Sequence, residues 1–166
     1  MIKHPLLITL IDVALFQAIW WGAALWGNAA LVWLILLLGV HLVLLHQAPK
    51  RDVLALCLIA PVGWGIDLSL QALGFWDLHS QLPLWLLVIW AGFVLSLFYS
   101  LAWLQKFKPI YQALIGGLAG SLSYFAGAKL GALSFNYSLF FSFLLVWIIW
   151  IVLLPLLVHC VYLFKK

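Results

Sequence analysis

The sequence predicts an all-α integral membrane bundle of six transmembrane helices, with both termini cytoplasmic. Three observations carry this reading. Hydrophobic residues make up 68% of the 166-residue chain and charged ones 7%, more apolar side chain than a soluble domain can hide. The apolar residues fall into six runs, each of the length that matches a hydrocarbon core of ~30 Å. Finally, the cations alternate. Lys3, then Lys50 and Arg51, then Lys106 and Lys108, then Lys165 and Lys166 fall on one side, and the opposite connections hold none. That bias puts the termini in the cytoplasm, and in a bacterium the chain in the inner membrane. The net charge of +4 is therefore a topology signal, not a sign of nucleic acid.

The first run, 6–27, follows a short basic lead. A cleaved signal peptide is not expected there, because Asp12 interrupts the apolar stretch and tryptophans crowd the small residues that follow it. Asn28 marks a tight turn into the second run, 29–46, which carries His41. The third, 53–74, contains Pro61, which removes one helical hydrogen bond, and the phrase GWGIDLSLQALG. The longest connection, FWDLHSQLP, leads to the fourth run, 84–104, where Trp85, Ile89, Gly92, Ser96, Ser100 and Trp103 share a face. The sixth, 139–164, carries Pro155 and His159. The whole of 1–166 reads as a single transmembrane domain with no room for an extramembrane one.

The fifth run, 110–133, is expected to be the packing centre. On a helical wheel Gly116, Ala119, Gly120, Ser123, Gly127 and Gly131 fall within an arc of roughly 120°, a bare face that lets another backbone come close in lipid. Cys57 and Cys160 lie in apolar runs toward the reducing side and share no ligand spacing, so buried free thiols are expected.

At FQAIWWGAALWG, GWGIDLSLQALG and above all GGLAGSLSYFAGAKLGAL, the chain resembles a family of bacterial inner-membrane proteins catalogued as domain of unknown function 2878. The resemblance covers essentially the full length. The family pattern often has proline where this chain has Ser121. The resemblance implies no assigned activity, cofactor or catalytic residue. It implies, by gene neighbourhood, a link to membrane fatty-acid modification and stress.

Each charge inside a span needs a reason, since insertion scales set it at about 2.5–3.5 kcal/mol near the bilayer centre. Asp67 shares a stripe with Ala60, Gly63, Gln71 and Gly74, so it should face inward and meet a partner such as Lys129, Asn136, Tyr124 or a serine of the fifth run. Lys129 has a second reading, a side chain snorkelling to the headgroups. Asp12 and His41 lie at similar depth on adjacent helices, where a contact would hold a proton, and His159 should lie at a comparable depth. Asp77 and His79 read as a solvated outer loop. Histidines at 41 and 46 are wrongly spaced for a helical metal site, there is no glutamate, and neither metal nor cofactor is expected. No phosphate loop, nucleotide fingerprint or catalytic triad is visible.

Three functional classes follow. The first is a small carrier or lipid-handling protein with Asp67, Gln71 and Lys129 lining a polar pocket. The second is a structural or accessory membrane subunit, and the third an intramembrane enzyme using Asp12, His41 and His159. The expected partners are membrane lipids and either another membrane protein or a second copy of the chain.

Overall fold

A computed structural model describes residues 4–45 and 48–165; Lys3, His46 and Lys166 lie outside the described residues. Six α-helices account for nearly all of it. They are α1 (Pro5–Trp26), α2 (Leu31–Leu44), α3 (Pro49–Ala72), α4 (Leu84–Phe98), α5 (Pro109–Lys129) and α6 (Leu139–Phe164). One-turn 3₁₀ segments follow α1 (Gly27–Ala30) and α4 (Ala102–Lys106). Two short strands, β1 (Trp76–Asp77) and β2 (Ser134–Phe135), pair antiparallel, a ribbon the apolar pattern does not announce.

Local chemistry sets the boundaries. Pro5 and Pro109 open α1 and α5 at the position where a missing N–H costs nothing. Gly27 closes α1 at φ 54, a left-handed conformation that favours glycine. The Ser138 side chain accepts the Phe141 N–H and caps α6.

Among the described residues, three stretches are long and apolar enough to cross a membrane: Pro5–Leu44, Pro49–Ala72 and Leu139–Phe164. The helix in the fourth run is shorter than 84–104. It has 15 residues, about 22 Å of rise, and breaks at Tyr99. α5 has the length, but its glycines, serines and Tyr124 make it less apolar than its neighbours. Large side chains such as Trp33 (70%) and Phe140 (79%) are nevertheless widely exposed, more apolar surface than water tolerates.

The chain forms two compact units, Met1–Gly65 with Pro83–Ala102, and Ile66–Leu82 with Trp103–Lys166. In the first, α1, α2 and α4 pack on one another. Asn28 reaches from the α1–α2 turn to accept the Trp85 N–H at 3.1 Å and so caps α4. Gly63 of α3 leaves room for the Trp90 ring; a Cβ there would stand 2.3 Å from it.

In the second unit α5 and α6 pack tightly. Gly116 lies against Leu154 and the Trp150 carbonyl, Gly117 against Trp147, and Gly120 against Trp150. The buried face of α5 is Gln112, Gly116, Gly117, Gly120, Ser121 and Gly127, rotated from the predicted arc. Ala119 is exposed and Ser123 half-buried. Gly131 lies beyond the helix end at φ 81, so it serves a turn, and a Cβ there would meet no described atom within 4 Å. The most enclosed helix is α4, with eleven buried residues, as expected of a helix apolar on every side.

Neither cysteine is buried: Cys57 is exposed, Cys160 half-exposed, and both are free thiols.

Candidate functional site

In the first unit, α1 and α2 form a hairpin that carries Asp12 and His41 to one level. Asp12 is fully buried and His41 1% exposed. His41 Nε2 lies 2.5 Å from Asp12 Oδ1. Ser96 on α4 donates to the same oxygen at 3.4 Å. The other oxygen accepts the Ser100 backbone N–H at 3.1 Å. That last bond exists because α4 breaks: Tyr99 leaves helical geometry at φ −113, ψ −96, which turns the next N–H toward Asp12. The carboxylate is thus met from three elements, as a buried charge requires. His41 Nδ1, by contrast, is buried with no hydrogen-bond partner among the described residues.

The same break serves a second acid. The Tyr99 hydroxyl lies 2.5 Å from Asp52 Oδ2 and also meets the Leu45 carbonyl. Arg51 donates two hydrogen bonds to Asp52 Oδ1, at 2.8 and 2.6 Å, while its guanidinium stacks over Phe98 at 4.4 Å. The Tyr99 and His41 rings meet edge to face at 5.3 Å. One bend therefore sits between two buried carboxylates. Asp52 follows the two cations Lys50 and Arg51 in a short polar stretch, where composition alone suggests only a solvated turn. The signal that finds it is its register with Ala55, Ile59 and Gly63, one buried stripe along α3.

In the second unit, Asp67 is 1% exposed. Tyr124 on α5 donates to its carboxylate at 2.5 Å. The Trp150 indole hydrogen-bonds Tyr124 in turn, and the Trp76 indole donates to the Asp67 backbone carbonyl at 3.3 Å. Gln71 is engaged elsewhere: its amide donates to the Ser80 carbonyl at 3.1 Å and accepts the Leu78 N–H at 2.8 Å, clamping the loop after α3. Lys129 is exposed at the end of α5 and forms no ion pair with Asp67. Among the described residues, Asp67, Gln71 and Lys129 therefore do not converge on one pocket. His159 is exposed on α6, in the second unit, whereas Asp12 and His41 belong to the first. Ser121 is fully buried and reaches the Phe143 carbonyl at 3.5 Å, tying α5 to α6.

Among the described residues no cluster of three or more histidine, cysteine or carboxylate side chains is placed to hold a metal ion.

The family model described as "Protein of unknown function (DUF2878)" matches residues 9–156, a span that takes in Asp12, His41, Asp52, Ser96 and Asp67. The chain belongs to this family. Neither the curated proteins nor the solved structures contain a match to this DUF2878 chain. Its family name assigns no chemistry.

Proposed function

We propose that the chain is one transmembrane domain of six spans in the bacterial inner membrane, both termini cytoplasmic, and that it acts as a small proton-linked carrier or lipid-handling protein centred on Asp12 and His41. The observation that carries this is the unequal satisfaction of the pair. Asp12 has three hydrogen-bond partners, while His41 Nδ1, buried beside it, has none among the described residues. Buried polar atoms in proteins are nearly always paired. An imidazole held by a carboxylate on one nitrogen and open on the other is placed to take a proton or a ligand's donor. Asp67 offers less, because Tyr124 fills its carboxylate and Gln71 is committed to a loop. The lipid assignment rests on the exposed apolar surface and on the fatty-acid link that the resemblance implies.

A second reading is favoured by the Asp67–Tyr124–Trp150 chain, which joins α3, α5 and α6 as a scaffold would. In that reading the protein is an accessory membrane subunit. Complementation separates the two. A deletion strain under oxidative stress is supplied with Asp12→Asn, His41→Gln or Tyr124→Phe protein, and its membrane lipids are compared with wild type. Under the first reading the Asp12 and His41 variants insert at normal levels but leave the lipid profile at that of the deletion. Full rescue by both would leave only the accessory reading.

A further inference from the structure

The loops of the second unit bring together three side chains that the sequence separates. β1 and β2 pair with Asp77 opposite Ser134. Two residues past Asp77, the chain turns back at His79 with φ 54, a backbone conformation rare for a side-chain-bearing residue and concentrated at functional sites. The turn is held by Asp77 Oδ1, which accepts the His79 N–H at 2.7 Å. As a result His79 Nε2 lies 3.1 Å from Ser134 Oγ, and its Nδ1 faces Asp77 Oδ2 at 3.8 Å. We propose that Ser134, His79 and Asp77 act as nucleophile, base and orienting carboxylate in an acyl-transfer site for carboxylic esters of membrane lipids.

The order of contacts is the one this chemistry needs. A carboxylate on the Nδ1 side favours the tautomer with hydrogen there and leaves the Nε2 lone pair facing the hydroxyl. The Nε2–Oγ distance is within the reach of a general base. The 3.8 Å gap to Asp77 is longer than a hydrogen bond, and such contacts in unliganded sites tighten when substrate binds. All three side chains are exposed, so a substrate reaches them from outside the helices. The pair at Asp12 differs in the respect that matters: there Ser96 bonds the carboxylate and not the imidazole.

The substrate class follows from the surroundings. The ribbon lies beyond the ends of α3, α5 and α6, and the same segments expose Leu73, Leu82, Tyr137 and Phe140. Phe75 packs on Tyr137 and Phe141 with ring centroids 5.7 and 6.4 Å apart. An aromatic and aliphatic rim at helix ends suits the membrane–water boundary, where the ester carbonyls of glycerolipids lie. This substrate assignment rests on the membrane reading above; the triad geometry does not.

In the reaction, His79 Nε2 takes the Ser134 proton as Oγ bonds to the ester carbonyl carbon. The tetrahedral adduct collapses, the carbon–oxygen bond to the alcohol breaks, and the alcohol leaves with the proton from Nε2. Water then attacks the acyl-serine, giving up its proton to His79. The acid is released and Ser134 is restored, so that ester and water give acid and alcohol.

The test uses the purified full chain in detergent, so that it reads the chemistry independently of topology. A fluorophosphonate probe should label Ser134, located by mass spectrometry, and the protein should hydrolyse p-nitrophenyl octanoate. Ser134→Ala and His79→Ala should each lower labelling and turnover at least 100-fold, and Asp77→Asn at least 10-fold, with unchanged elution as a monodisperse species. Ser134→Cys guards against misfolding: its iodoacetamide alkylation at pH 7 should slow at least 10-fold when His79→Ala is added. Labelling on another serine, absence of label and turnover, or cysteine alkylation indifferent to His79 would each overturn the proposal and leave the His79–Ser134 contact as a tie across the ribbon.

Discussion

Trp150 on α6 packs against the bare backbone of Gly120 on α5, so closely that a Cβ at the glycine would stand 2.3 Å from the indole. Four residues earlier, a Cβ at Gly116 would stand 2.6 Å from the Trp150 carbonyl oxygen, a backbone atom that cannot swing aside. Gly127 is different: its nearest neighbours would be at ordinary contact distance, 3.7 and 3.9 Å. Gly116→Ala and Gly120→Ala are therefore expected to destabilise by about 1–3 kcal/mol through overpacking. Gly127→Ala is expected to be neutral or to stabilise by a few tenths of a kcal/mol, since alanine is the better helix former. Denaturant titration in detergent, followed by near-ultraviolet circular dichroism, measures all three. Equal effects at 120 and 127 would mean that the α5–α6 contact is not the close one.

How far the sequence reveals this depends on what kind of signal each feature leaves. Periodicity shows that α5 has a small face and that Asp67 lies on a stripe with Ala60 and Gly63, because both patterns are local. It misplaces the α5 face, because the wheel includes Gly131, a residue past the helix end, and overlooks Gly117 and Ser121. It also runs the fourth helix through Tyr99–Leu104, since an apolar stretch carries no mark of where a buried carboxylate will draw off a backbone N–H. The partners of Asp12 and Asp67 lie 29 and 57 residues away. Depth can narrow such choices, as it does for Asp12 and His41. It cannot choose Tyr124 over Lys129, because that depends on which face of α5 turns toward α3.

The Asp67–Tyr124 hydrogen bond should show itself through unequal substitutions. Asp67→Asn keeps an oxygen to accept from Tyr124 and is expected to cost less than about 1 kcal/mol. Tyr124→Phe removes the donor and leaves a buried carboxyl with less to bind, and Asp67→Leu strands the tyrosine hydroxyl. Each of these is expected to cost about 1–3 kcal/mol. In a double-mutant cycle of Asp67→Leu with Tyr124→Phe, the paired loss should be smaller than the sum of the two. Strict additivity would show that the two side chains do not interact in the folded protein.

At the other acid, the bend after α4 makes a sharper prediction. Asp12 holds the Ser100 N–H, the Ser96 hydroxyl and His41 at once, so Asp12→Leu should leave several buried polar groups unpaired and cost about 3 kcal/mol or more. Asp12→Asn can still accept from Ser100 on one side and donate to His41 Nε2 on the other, with the imidazole hydrogen moved to Nδ1. It should fold, at a cost of about 1 kcal/mol. Nitrogen-15 chemical shifts of His41 would report the exchange of tautomer directly. Retention of the wild-type shifts in folded Asp12→Asn protein would show that the carboxylate does not set the state of the ring.

The number of crossings is tested by placing reporters at successive connections. Six spans require α4 to cross although its helix rises only about 22 Å, against a hydrocarbon core of ~30 Å. The 3₁₀ turn Ala102–Lys106, with its own Trp103 exposed, would supply the remaining depth, and Lys106 and Lys108 would mark the cytoplasmic surface. A reporter active only outside the cytoplasm is expected to work when fused after Asn28, Phe75 or Asn136. It should be silent after Gln105 and after Lys166. Activity after Gln105 would mean that α4 enters and returns without crossing. The following connections would then exchange sides, and His79 and Ser134 would face opposite surfaces, which their 3.1 Å contact forbids. The reporter pattern and that contact therefore stand or fall together.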